Sequence, residues 1–96
     1  MGETMKLIEV VRDLASLDEA GTIYASEPWR PDSEVVVMPE PASGGLPEEA
    51  KRLGLKYFLE VFIARDFIEG WTANLDKEPT LQETCARMIK YAITDA

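Results

Sequence analysis

The spacing of apolar residues predicts a helix at the start of the chain. Between Leu7 and Ala15 the apolar residues recur every three or four positions, which is the period of one helix face. Thr4 stands where a capping residue is expected, and Gly21 follows the last apolar position. We therefore predict a first helix over residues 5–17.

Two short segments that are rich in β-branched residues predict strands. They are Thr22–Ala25 and Glu34–Met38, and the second contains three consecutive valines. Residues 26–33 lie between them and include two prolines, which fix backbone torsions and lack an amide donor, so we predict an ordered loop. Residues 39–47 hold three prolines and two adjacent glycines, and there we predict a flexible loop.

The pattern after this loop allows two interpretations. Residues 47–53 favour a short helix that ends at Gly54. Residues 56–61 are rich in aromatic and apolar side chains and favour a buried strand, but apolar positions over residues 55–67 also recur at helical spacing. We favour a strand at 56–61 that leads into a helix ending near Asn74.

The last helix has the clearest signal, and it completes the predicted fold. Thr80 and Glu83 form a Thr-x-x-Glu capping box, and apolar residues from Leu81 to Ile93, Cys85 among them, line one face. The predicted order is helix, strand, strand, short helix, strand, helix, helix. Three strands are too few to carry helices on both faces. We predict one α+β domain over residues 1–96, with a small, mainly antiparallel sheet of about three strands and helices packed on one face.

Composition narrows the chemistry that the chain can perform. Its 96 residues include one cysteine, Cys85, and no histidine, which excludes an intramolecular disulfide, a Cys/His zinc site and histidine-based catalysis. No glycine-rich phosphate loop is present. No apolar run approaches the ~20 residues of a membrane helix. We predict a cytoplasmic protein with no catalytic residue, no metal and no cofactor.

The negative charge is concentrated in the first half of the chain. Residues 1–50 contain eleven acidic residues and three basic ones, whereas residues 51–96 contain seven of each, and the net charge is −8. Such a field repels nucleic acid and anionic membranes and attracts a basic protein, so we predict a basic protein partner, no nucleic acid and no membrane. The alternative is that the acidity only maintains solubility.

The loop after the first predicted strand is the first candidate binding surface. Trp29 lies between two prolines, and a rigid amphipathic ring is typical of recognition surfaces. The alternative is that this ring folds back and covers a small core. The candidate residues are Glu27, Trp29, Arg30, Asp32, Ser33 and Glu34.

A carboxylate-lined pocket in the second half is the alternative site. Glu60 interrupts an apolar run; if buried, it requires a partner such as Arg65 or a raised pKa, and otherwise it faces solvent. Trp71 has helical spacing with preceding apolar residues, which favours a core position. The pocket would be lined by Tyr57, Glu60, Asp66, Phe67, Glu69 and Trp71.

Scattered aromatic and acidic positions resemble those of a small bacterial family of unknown function. They are Ile23-Tyr24-Ala25, Pro28-Trp29, Tyr57-Phe58-Leu59-Glu60-Val61, Glu69-Gly70-Trp71, Tyr91-Ala92 and Asp95-Ala96. This resemblance implies no activity, because the family has none assigned. In size and charge the chain is also similar to the immunity proteins that neutralise bacterial toxins.

Three functional hypotheses follow from the sequence. The first is a non-catalytic binding or inhibitory protein, similar to immunity proteins, that presents an acidic surface to a basic protein. The second is a small-molecule-binding or carboxylate-based enzymatic domain. The third is a self-associating structural domain, and the chain is expected to be a monomer or a small homo-oligomer.

Overall fold

An antiparallel sheet of four strands organises the computed structural model, which describes residues 4–94. The strands are β1 (Met5–Lys6), β2 (Thr22–Ala25), β3 (Glu34–Met38) and β4 (Lys56–Glu60). Their order in the sheet is β1-β3-β2-β4, so β2 and β3 are central. The bounds of β2 and β3 are those that the sequence predicts. The sheet has one strand more than expected, because β1 is only two residues long and has no sequence signal of its own.

The helices follow the predicted order, and the α+β class is confirmed. They are α1 (Leu7–Arg12), a 3-10 helix (Leu14–Ser16), α2 (Glu48–Leu53), α3 (Val61–Thr72) and α4 (Leu81–Thr94). Residues 39–47 lie outside helices and strands. None of the helices within residues 4–94 is long and apolar enough to cross a membrane. Asp95 and Ala96 lie outside the described residues.

The first helix is shorter than predicted, and the prediction of Thr4 as its cap is wrong. Met5 and Lys6 are extended and pair with β3, which a pattern of apolar spacing cannot reveal. The amides of Leu7 and Ile8 then donate to the carbonyls of Ser33 and Pro31, at 2.9 and 2.8 Å. The first turn of α1 is therefore capped by a distant loop.

Alternation along the strands divides the apolar side chains between two faces of the sheet. Ile23 and Val35 are fully buried beneath α1, α3 and α4, which pack together on one face as predicted. Tyr24 and Val36 point to the other face, where they pack against Ala50 of α2. The short helix thus covers part of the face that the sequence leaves without helices.

A bulge in β4 resolves the ambiguous segment. Ile23 of β2 is opposite Leu59, but the next residue, Tyr24, is opposite Tyr57, so Phe58 is the extra residue. Phe58 and Leu59 consequently join the same core cluster although they are neighbours in a strand. The strand ends at Glu60 and α3 begins directly at the next residue. This explains why the segment shows both periodicities.

The predicted end of α2 and the predicted start of α4 are confirmed, whereas α3 ends at Thr72, two residues before the predicted end. The Thr80 amide donates to Glu83 Oε1 at 2.8 Å, and the Glu83 amide donates to Thr80 Oγ1 at 3.1 Å, which completes the capping box. Gly54 ends α2 with φ of +73°, a conformation that favours glycine. Cys85 is fully buried, as expected, but the ends of the apolar face are exposed, with Ile93 at 67%.

Candidate functional site

The loop of residues 26–33 is held in one conformation by Ser33. This side chain is buried, and its Oγ accepts a hydrogen bond from the Arg30 amide at 2.8 Å. The same Oγ donates to the carbonyl of Pro28 at 3.3 Å. Ser33 therefore spans the loop from inside, and its role is to shape the candidate surface.

Trp29 packs against the edge of the core. Its ring meets Phe58 edge to face, with centroids 4.9 Å apart and an interplanar angle of 84°. The indole N–H donates to the carbonyl of Ala25 at 3.3 Å. Of the two interpretations of this residue, the structure favours the ring that folds back onto the core, since the ring is half-buried and held at two points.

The acidic side chains of this loop and of the adjoining strand are exposed. Glu27, Asp32 and Glu34, which we call the acidic surface, form no ion pair within 4.0 Å among residues 4–94. Glu27 and Asp32 line a small polar cleft of about 230 Å³ together with Ser26, Pro28, Arg30 and Ser33. The carboxylates are thus available to a partner, with Arg30 as the base beside them.

An apolar cleft adjoins the polar one. It has a volume of about 450 Å³ and is lined by Glu27, Pro28, Trp29 and Ile93. Sequence reasoning assigned Ile93 to the core face of α4, and that assignment is wrong because the side chain is 67% exposed. Its proximity to the loop is a tertiary contact without a local signal.

The aromatic residues of the alternative pocket form a stack between α3 and α4. Phe67 lies over Tyr91 with centroids 4.2 Å apart, and Trp71 is nearly parallel to Phe67 at 6.5 Å. The guanidinium of Arg87 lies 4.9 Å from the Phe67 centroid, a cation–π contact. These residues hold the two helices together.

The acidic residues of the alternative pocket lie elsewhere. Asp66 and Glu69 line a cleft of about 600 Å³ between α3 and the segment 11–15. Trp71 lines a different cleft, of about 810 Å³, beside the α3–α4 connection. Tyr57 and Glu60 belong to β4. The structure therefore places Phe67 beside Trp71, and Asp66 and Glu69 in one cleft, but it does not bring these two pairs together.

Arg65 is not the partner of Glu60 that the sequence suggested. Its Nε donates to the carbonyl of Leu14 at 3.0 Å and its guanidinium also donates to those of Ala15 and Leu17. These carbonyls belong to the 3-10 helix and to Leu17, the residue that ends it, and the five N–H donors of a guanidinium can satisfy several carbonyls at once. Arg65 therefore closes the segment that follows α1.

The cleft beside the α3–α4 connection was not anticipated from the sequence. Its apolar lining comes from Trp71, Leu75, Pro79 and Ala86. Its charges balance, with three bases and three acids. They are Lys77, Arg87 and Lys90, and Asp76, Glu78 and Glu83. One of these acids, Glu83, is already committed to the capping box. This lining does not favour one sign of ligand charge.

Two ionisable groups in the core have raised pKa values. Burial raises the pKa of the Cys85 thiol to about 11. Burial also raises the pKa of the Tyr24 hydroxyl, and a contact with Thr22 opposes that shift. Within residues 4–94 no cluster of three or more metal-ligating side chains is present.

Comparison with protein-family models, with curated proteins and with solved structures gives no match for this chain.

Proposed function

We propose that this chain is a non-catalytic binding domain that presents its acidic surface to a basic protein. The observation that carries the proposal is that Glu27, Asp32 and Glu34 are exposed on a loop and strand of fixed conformation and form no ion pair with any residue of the described range 4–94. Ser33 holds the loop from inside, so the backbone that carries Glu27 and Asp32 loses little freedom on binding. An inhibitory role, as in immunity proteins, is one form of this function.

Long-range electrostatics support a basic partner. The excess charge of the whole chain lies in residues 1–50, which include the acidic surface. A field of one sign accelerates encounter with an oppositely charged protein and slows encounter with nucleic acid. The proposed setting is the cytoplasm, which suits a chain whose one cysteine stays unpaired.

The competing functions have weaker support. An enzymatic pocket requires its carboxylates and aromatic rings together, but Asp66 and Glu69 line a different cleft from Trp71. Self-association by strand pairing requires an open sheet edge. One edge, β1, is only two residues long, and the other, β4, contains a bulge. Both features oppose edge-to-edge pairing.

The experiment is capture of a partner in the native cells by cross-linking, followed by affinity measurement with the purified partner. The loop variant is Glu27→Gln/Asp32→Asn/Glu34→Gln. The matched control variant removes the same charge elsewhere, as Glu69→Gln/Asp76→Asn/Glu78→Gln. We expect the loop variant alone to bind more weakly, by about tenfold at low salt. Equal affinity of the two variants would contradict the proposal.

A further inference from the structure

Two clefts of different character meet on the acidic surface. The apolar cleft of about 450 Å³ and the polar cleft of about 230 Å³ share Glu27 and Pro28 in their linings. A ligand that fills both must therefore carry an apolar group next to a polar one. Glu27 lines both clefts, and Asp32 and Arg30 line the polar one, which therefore has two acidic residues and one basic residue.

The contacts of Trp29 indicate that the apolar anchor comes from the partner and not from this chain. Its indole is fixed against Phe58 and donates to the carbonyl of Ala25, so it does not project toward a partner. The ring instead forms one wall of the apolar cleft, and the exposed Ile93 at the end of α4 lines the same cleft. Because the Trp29 wall is already held in place, it loses little entropy when a ligand binds.

We propose that the basic partner binds through a segment in which an apolar side chain is adjacent to lysine or arginine. The apolar side chain occupies the cleft between Trp29 and Ile93, and the neighbouring cation meets Glu27 and Asp32. Charge complementarity selects this occupant, because an acidic or phosphorylated segment would be repelled at the junction. This inference rests on the proposed function and adds the chemistry of the partner and a role for α4.

The test uses three acetylated and amidated pentapeptides and uniformly ¹⁵N-labelled protein at low salt. The first has leucine between two lysines, the second has serine between two lysines, and the third has leucine between two serines, each with terminal glycines. Binding is followed through the indole N–H of Trp29, identified by comparison with Trp71→Phe, and through the backbone amides of Glu27 and Asp32. We expect the leucine–lysine peptide to bind about tenfold more tightly than the serine–lysine peptide, because part of the leucine side chain is buried.

A substitution at the end of α4 measures the contribution of the apolar cleft to affinity separately from the contribution of charge. Ile93→Ser should reduce the affinity of the leucine–lysine peptide to near that of the serine–lysine peptide and leave the latter unchanged. The matched control is Phe62→Ser, since Phe62 is also exposed, at 47%, and lies on α3. It should leave every affinity unchanged.

Each other outcome overturns a defined part of the account. Equal binding of the two lysine peptides would overturn the apolar cleft and leave the proposed function intact. Equal binding of the two leucine peptides would overturn the charge selection, and with it the proposed function, and leave the apolar cleft. If no peptide shifts the Trp29 indole or the amides of Glu27 and Asp32, both are overturned.

Discussion

Replacement of Arg65 by methionine tests the structural account of the segment that follows α1. The guanidinium donates to three carbonyls, and 29% of the side chain remains exposed. A hydrogen bond to a charged group contributes about 1.5–3 kcal/mol when it is shielded, and less where water competes. Two of the three bonds are partly buried, those to Leu14 and Leu17. We therefore expect Arg65→Met, which retains the apolar stem, to lower the free energy of unfolding by about 2 kcal/mol.

The assay is urea unfolding followed by far-ultraviolet circular dichroism, with a thermal melt beside it. For a domain of this size the expected loss corresponds to a decrease in Tm of about 10 °C. Arg65→Lys should recover at most half of the loss, because a compact ammonium cannot reach three carbonyls at once. The control is Arg12→Met. It removes only an exposed ion pair with the adjacent Asp13, so the free energy of unfolding should be unchanged within error. If Arg65→Met were as stable as Arg12→Met, the capping role would be refuted.

Three further predictions concern the core and the longest loop. Cys85 should resist a thiol reagent until denaturant is added. Because burial raises the pKa of its thiol, the stability that the neutral thiol contributes is complete below pH 9 and is lost as the pH rises through about 11. Cys85→Ala should reduce this loss of stability at high pH. Met88→Ala should lower the free energy of unfolding by ~2–5 kcal/mol, because Met88 is fully buried, and Ile89→Ala by less, because Ile89 is only partly buried; urea unfolding measures both. Subtilisin should cleave first within residues 39–47, which lack helix and strand; first cleavage in β4 would refute this.

Local signals account for the elements that could be predicted from the sequence. The valines of β3 and the capping box of α4 act through neighbouring residues. The bounds of β3 and the start of α4 therefore follow from the sequence pattern. The start of α1 does not, because the carbonyls of Ser33 and Pro31 that cap it lie far along the chain. The bulge at Phe58 similarly depends on pairing with β2, so the sequence alone leaves strand and helix both open.

Only part of the candidate surface could be predicted from the sequence. The exposed acidic residues around Trp29 could be identified from composition and from the prolines beside it. The inward orientation of the ring could not, because it depends on the contact with Phe58, which is distant in sequence. Ile93 was assigned to the core because helical periodicity does not show where a helix extends beyond the body it packs on. For this reason Ile93→Ser is a cleaner functional test than Trp29→Ala, which would also disturb the core.

The central claim is that the acidic surface attracts a basic protein, and association kinetics test it most directly. The measurement is the stopped-flow association rate constant of the captured partner with the parent, with Glu27→Gln/Asp32→Asn/Glu34→Gln and with the charge-matched control variant, at low and physiological salt. We predict that the parent and the control associate about tenfold faster at low salt than at physiological salt, and that the loop variant loses most of this dependence. Association that is indifferent to salt and equal for the three proteins would contradict the account.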